Sequence, residues 1–283
     1  MAAAIEQSVP PWLRRSIERS LEAHAKDFFA DMAVPPPIGL RVETESRDAV
    51  IERLRAERPS ATFEPGKVSP LAILARGAGR PHSLDAYRSG AVSIQEEGSQ
   101  ALALALDAKK GERVLDACAG RGGKTGILAR ITNVDACDIH SSKLEQLKTE
   151  LARLKLSART FTADWTRGSG DVPADYDRVL VDAPCSGSGT LRRRPDIALH
   201  RRREDIRRLA DVQLEILKMT STRARTGGTL LFAVCSVLRE EGEGVVERFL
   251  AGNSRFEKTS ERRLTPWEHG TDGYFLATFV RLS

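Results

Sequence analysis

From about residue 111 onward, short apolar runs alternate with helix-length amphipathic stretches, and few architectures accommodate that order. Segments 113–116, 134–138, 159–162, 178–182, 229–233 and 275–280 read as strands; segments 124–130, 142–154, 204–219 and 243–250 read as helices. The third helix shows its stripe openly, in Ile206, Leu209, Ala210, Leu214 and Leu217. The pattern predicts an α/β fold, a Rossmann-like, doubly wound and mostly parallel sheet with helices on both faces. In such a sheet the chemistry collects at the carboxyl ends of the strands.

The first part of the chain reads differently. Pro10-Pro11 starts a helix that spacing carries from Trp12 to about Met32, through Leu13, Ile17 and Leu21. Pro35-Pro36-Pro37 breaks the chain, Leu40-Arg41-Val42 reads as a short strand, and residues 48–58 as a helix with Val50, Ile51 and Leu54 inward. Residues 75–81, ARGAGRP, have the composition of a linker. The expected division is a small N-terminal α/β unit over residues 1–80 and a catalytic unit over 81–283.

The net charge of +5 suits a polyanionic partner, although many proteins carry as much. Four scattered cysteines lack metal-ligand spacing, so no metal, reduced thiols and a cytoplasmic setting are expected. The opening MAAAIEQSVP has no leader pattern, and no run approaches the roughly 18 apolar residues of a membrane span. A monomer is expected.

Val114-Leu115-Asp116 runs into a glycine turn, CAGRGGKT from Cys118. Gly120, Gly122 and Gly123 allow close backbone approach, and the following helix offers its amides to an anionic group. A Walker phosphate loop fails because Cys118 stands where its first glycine belongs, and the dinucleotide spacing is not met either. The remaining reading is S-adenosylmethionine, with its carboxylate at this loop. Asp138 ends the next strand, where a carboxylate accepts from ribose hydroxyls, and Asp164 follows the one after, within reach of an adenine amino group. The plain alternative for each aspartate is a helix cap or loop residue.

Cys185, in DAPCSGSG, and Cys235, in LLFAVCS, each follow a strand. A cytosine ring becomes nucleophilic at carbon 5 once a thiolate has added at carbon 6, and a base must later remove the carbon-5 proton. Two cysteines across one pocket could divide these duties; the plain alternative is two inert core thiols. Pro184 and the Ser-Gly-Ser-Gly after Cys185 describe a turn rather than a packed strand. Arg192, Arg193 and Arg194 follow directly, with Arg201, Arg202, Arg203, Arg207 and Arg208 beyond. Phosphate contacts are the expected use of the first three, with a solvated helix face as the alternative for the run. The target base must reach the pocket unstacked.

These motifs resemble the Sun (Fmu) family of RNA cytosine-5 methyltransferases. DACAGRGGKT resembles that family's cofactor motif. Residues 182–189 with Arg192-Arg193-Arg194-Pro195-Asp196 resemble its fourth-strand motif, and Val234-Cys235-Ser236 with Glu241-Gly242-Glu243 its nucleophile motif. Asp272-Gly273-Tyr274-Phe275, Tyr87-Arg88-Ser89-Gly90, residues 95–99, Trp12-Leu13 and Leu40-Arg41-Val42 also match, so the resemblance covers nearly the whole chain.

The resemblance implies a class I methyltransferase fold with a seven-stranded sheet and a small RNA-binding unit. Cys235 would be the nucleophile, and Cys185 would assist product release through proton removal at carbon 5. Asp182 would contact the reacting base and the cofactor. Cys118, Ala119, Gly120, Arg121, Gly122, Gly123 and Lys124 would form the S-adenosylmethionine loop, with Asp138 and Asp164 on ribose and adenine. Three positions depart from the family pattern: Arg121 for proline, Val234 for threonine and Gly242 for asparagine. The extra N-terminal helical domain of some bacterial ribosomal-RNA members has no counterpart in the sequence, so the subgroup stays open. Ribosomal RNA is the first expected substrate and transfer RNA the second. A DNA methyltransferase would use Cys185 as nucleophile and need a target-recognition region that is not evident. A non-catalytic RNA-binding assembly factor is the reading from another class.

Overall fold

The computed structural model describes residues 6–283. The leader reading falls in part on residues 1–5, outside the described residues. The larger sheet holds β5 (Arg113–Asp116), β6 (Asn133–Asp138), β7 (Arg159–Thr162), β8 (Tyr176–Asp182), β9 (Ala224–Val234), β10 (Phe256–Leu264) and β11 (Tyr274–Arg281). Its order is β10-β11-β9-β8-β5-β6-β7. Strands β5 to β9 pair in parallel, whereas β11 runs antiparallel to β9, and β10 to β11. The chain runs outward from β5 through β6 and β7, then returns to β8 on the other side, so the crevice between β5 and β8 is the switch point where such sheets bind ligands.

Both faces of the sheet are covered, as parallel strands require. Val179 and Val181 on β8, and Leu230, Phe232 and Val234 on β9, join the core shared with α9 (Arg203–Ser221) and α10 (Glu243–Ala251). The alternate residues Leu180, Leu231 and Ala233 join the opposite core with α5 (Glu97–Ala105) and α6 (Gly123–Ala129). Helix α7 (Ser141–Arg153) closes that side through Leu144, Leu147 and Leu151. Among the described residues no helix is long and apolar enough to cross a membrane.

A second sheet, order β2-β3-β1-β4, holds β1 (Ile38–Val42), β2 (Thr62–Pro65), β3 (Ala72–Arg76) and β4 (Val92–Ile94). Its core is shared with α3 (Arg47–Glu57), started by a Ser46 cap on the Ala49 amide, and α4 (Asp85–Arg88). Two features depart from the sequence division at residue 80. The small sheet continues to Ile94, because β4 pairs with β1 beyond the glycine-rich segment. The N-terminal helix is two helices, α1 (Pro11–Leu21) and α2 (Ala25–Asp31), turned at Glu22 where φ is 50°. Their apolar residues Leu13, Ile17, Leu21, Phe28 and Phe29 pack on Leu191, Ile206, Val237 and Leu238 of the catalytic unit, not on the small sheet.

Candidate active site

Strands β8 and β9 are parallel neighbours, Asp182 lying opposite Ala233, so the turns after them emerge side by side. That brings Cys185 Sγ to 3.3 Å from Cys235 Sγ, across 50 residues of sequence. Cys185 leans on the α9 side of the sheet and Cys235 on the α5 side. The hydrogen bond with Cys235, together with burial, pushes the Cys185 thiol well above the usual cysteine range, so Cys185 carries a proton at neutral pH.

One buried carboxylate clamps the two turns. Glu241 accepts from Ser186 N at 2.7 Å, Ser186 Oγ at 2.5 Å, Ser236 Oγ at 2.6 Å and Gln213 Nε2 at 3.2 Å. Gln213 Nε2 also donates to Pro184 O at 2.9 Å. Burial pushes the Glu241 carboxyl up against the pull of those four donors. Behind the clamp, Gly273 N donates to Gly189 O at 2.8 Å, and a Cβ on Gly189 would collide with the Gly273 backbone. Two loops cross there with no room for a side chain.

Asp182 ends β8 and takes Lys124 Nζ on its Oδ2 at 2.5 Å. Burial alone would lower the lysine, but the charge of Asp182 and this bond raise it, so the lysine keeps its proton. Lys124 follows the glycine turn, whose Gly122 has φ 88°, a region where a side chain would be strained and would also meet Leu147. Asp182 also lines a cavity of about 400 Å³ beside that turn, with Cys118, Gly120, Asp138, Ile139, Ala163, Asp164, Trp165, Pro184, Val212 and Ile216.

The lining suits an adenosyl group. Apolar side chains supply the walls, and two carboxylates supply acceptors. Asp138 Oδ2 accepts from Gly120 N at 3.0 Å and Oδ1 from His140 N at 2.9 Å, which aims the carboxylate at the cavity with a lone pair left on each oxygen. Asp164 accepts from Thr166 Oγ1 at 2.7 Å and Thr166 N at 3.0 Å; the hydroxyl bond holds its carboxyl below the usual range. Beneath the turn, Asp116 Oδ2 takes Thr125 Oγ1 at 2.7 Å, while its buried Oδ1 has no partner among the described residues. Among the described residues, no three His, Cys, Asp or Glu side chains converge as metal ligands.

The thiols, Asp182, the glycine turn, Asp138 and Asp164 thus meet at one sheet edge. The three arginines expected to hold phosphate do not act together. Arg192 Nε and Arg193 Nε grip the two oxygens of buried Asp272 at 3.0 and 2.8 Å, and their remaining donors reach Gly270 O and Pro37 O. They tie the loop after Cys185 to the segment before β11; only Arg194, paired with Asp196, faces solvent. Arg201 also turns inward, onto Ser186 O and Cys185 O. Arg121, Arg203 and Arg207 are exposed, and among the described residues their side chains make no ion pair.

Glu96 joins this frame, accepting from Asp272 N at 3.1 Å and Tyr274 OH at 2.8 Å. Sequence reasoning gave no role to Glu96, Asp272 or Glu241, although all three lie inside or beside quoted motifs. The departures at Val234 and Gly242 have local reasons. Val234 is fully buried in apolar core. A Cβ on Gly242 would sit 2.9 Å from the Phe275 ring, so asparagine there would require the ring to move.

A family model described as 16S rRNA methyltransferase RsmB/F matches residues 103–280. A Proteus mirabilis (strain HI4320) protein named ribosomal RNA small subunit methyltransferase B is 33% identical over 279 residues, covering 95% of this chain and 64% of that one. A Bacillus subtilis (strain 168) protein named probable ribosomal RNA small subunit methyltransferase B is 33% identical over 307 residues, covering 97% of this chain and 67% of that one. The chain thus spans about two thirds of the length of these curated relatives. Among solved structures, a methyltransferase homolog protein from Pyrococcus horikoshii is similar with TM-score 0.82 and 26% identity, covering 97% of this chain and 96% of that one. With most of its length matched by the family model and a third of its residues shared with these relatives, the chain belongs to the 16S rRNA methyltransferase RsmB/F family, to which its motifs already pointed through the Sun (Fmu) resemblance.

Proposed function

We propose that this chain transfers a methyl group from S-adenosylmethionine to carbon 5 of a cytosine in RNA, through a covalent bond between Cys235 and carbon 6. The observation that carries the reading is the pair of thiols 3.3 Å apart at adjacent strand ends, next to an adenosyl-sized cavity. A cysteine pair serving only as core would not need four donors converging on Glu241 to hold its turns.

S-adenosylmethionine, when bound, supplies an electrophilic methyl at its sulfonium. The turn at residues 118–124 would hold its methionyl part, Asp138 the ribose and Asp164 the adenine. The Cys235 thiolate adds to carbon 6, and the displaced π pair makes carbon 5 the nucleophile. Asp182, paired with Lys124, lines the cavity at the end of the strand that leads to Cys185 and would orient the cytosine. After methylation, Cys185 gives its own proton to solvent, and its sulfur then takes the carbon-5 proton. The released pair re-forms the ring double bond and expels Cys235.

Ribosomal RNA is the substrate favoured by the names of the relatives, with transfer RNA as the alternative. Exposed Arg194, after the Cys185 loop, and Arg203 and Arg207, in the first turns of α9, supply charge for phosphates. The test is methyl transfer from labelled S-adenosylmethionine to total ribosomal and total transfer RNA from cells lacking this gene. Label in 5-methylcytidine from the ribosomal pool is expected. Label only in transfer RNA would move the substrate. A folded protein that binds the cofactor but labels neither pool would favour the non-catalytic assembly factor.

A further inference from the structure

Arg41, in the Leu40-Arg41-Val42 motif, takes no part in the chemistry above, yet it is 2% exposed. Its guanidinium sends one of its bonds across a unit boundary, to Gly123 of the catalytic unit. Nε and Nη2 donate to Glu43 Oε1 at 2.9 and 2.5 Å, and Nη1 donates to Gln95 Oε1 at 2.6 Å and to Gly123 O at 2.5 Å. The second Glu43 oxygen accepts from Arg130 Nε at 2.8 Å. Arg41 and Glu43 belong to the small sheet and the residue after it; Gly123 opens α6, and Arg130 follows its last residue. The buried pair therefore holds α6 at both ends.

Stability alone is a weak reason for such an arrangement, because apolar side chains fill a buried space as well as an ion pair does. The direction of the fork is more telling. Gly123 follows the glycine turn, and the next residue, Lys124, carries the ion pair with Asp182. One turn along, a Cβ on Gly126 would lie 2.9 Å from Arg41 Nη2, so the helix comes up against the guanidinium face to face. Rotation or lift of α6 would break the Gly123 bond and carry the turn amides and Lys124 with it.

We infer that Arg41 is a positioning residue for the cofactor loop, reaching from the small unit to fix the first turn of α6 where its amides meet the ligand and Lys124 meets Asp182. The inference rests on the S-adenosylmethionine reading above and deepens it. It makes cofactor affinity depend on a residue of the unit expected to engage RNA.

The experiment is the dissociation constant of S-adenosylhomocysteine, measured by calorimetry on the full chain, with the melting temperature of each variant. Arg41→Met is expected to weaken binding about tenfold, the loss of one charged hydrogen bond. Arg41→Lys should recover part of this, since an ammonium reaches the Gly123 carbonyl without the fork. Gly126→Ala, which keeps every donor but pushes the helix off Arg41, should weaken binding as well and serves if Arg41→Met does not fold. Leu54→Ala, in the small unit's own core, should lower the melting temperature and leave the constant unchanged. Wild-type affinity in Arg41→Met or in Gly126→Ala would overturn the inference, as would equal weakening in Leu54→Ala. A wild-type chain that binds no S-adenosylhomocysteine would remove the functional reading itself, and the inference with it.

Discussion

At the scale of single residues, several groups around the site are held away from their ordinary protonation. Asp116 is fully buried beneath the glycine turn, and desolvation pushes its carboxyl up to about 6, against the bond from Thr125. The folded chain therefore binds this proton more tightly than the unfolded chain, whose carboxyl titrates near 4. The stability so contributed is fully present below about pH 4 and is lost as pH rises through 6, up to about 3 kcal/mol. Asp116→Asn removes that dependence while leaving an acceptor for Thr125. Its unfolding free energy, relative to the parent, should therefore rise between pH 4 and pH 7 in urea titrations. A difference that stays constant over that range would place the titration elsewhere. Burial also raises Cys137, up to about 12, and Cys118. The sequence singled out two cysteines that the structure brings together, and the turn residues flanking Cys185, Pro184 and Ser186-Gly187 among them, were the signal for that one. No such local signal marks Arg41, Glu241 or Asp272. Their meaning lies in partners 82, 55 and 80 residues away, and a partner at that distance leaves no spacing to read.

At the scale of elements, what counts is how strand ends are held. The turn after β8 and the turn after β9 share a backbone bond, from Gly189 N to Cys235 O at 3.1 Å; Glu241, at the approach to α10, adds side-chain bonds to both. Glu241→Ala leaves three hydroxyl and amide donors and Gln213 without their acceptor in a water-free space. We expect a loss of about 2–4 kcal/mol in unfolding free energy. Turnover should fall by about 100-fold even where the protein is fully folded, because a shift of about 1 Å between the thiols misplaces both reacting groups. Denaturation and single-turnover rates below the melting range separate the two effects; unchanged turnover would mean that the clamp serves stability only. The elements legible in sequence were those with one clear periodicity. Strand β10 was not, because as an edge strand its middle, Glu257 to Arg262, is exposed and charged and reads as loop. Helix α5 was missed for the opposite reason. Its alternating Ala and Leu residues are buried nearly all round, with no polar face to reveal the helical period.

At the scale of the whole molecule, three bodies converge on the two cysteine turns. The large sheet presents them, the N-terminal helices cover the segments that follow them through Leu191, Val237 and Leu238, and the small sheet reaches the glycine turn through Arg41 and the β11 approach through Glu96. Composition marked a linker at residues 75–81, short of the end of the small sheet at Ile94. It could not reveal that α1 and α2 pack on the catalytic unit, because an amphipathic helix does not name the surface its stripe will meet. The central claim is that the two thiols hold different duties in one covalent cycle. It is tested most directly by incubating RNA and S-adenosylmethionine with the Cys185→Ala protein and resolving the products under denaturing conditions. Without Cys185 to remove the carbon-5 proton, Cys235 should stay bonded to the methylated base. A stable protein–RNA adduct is expected, and it should vanish in the Cys185→Ala/Cys235→Ala double variant. An adduct that persists without Cys235, or methylation that survives Cys235→Ala alone, would contradict the account.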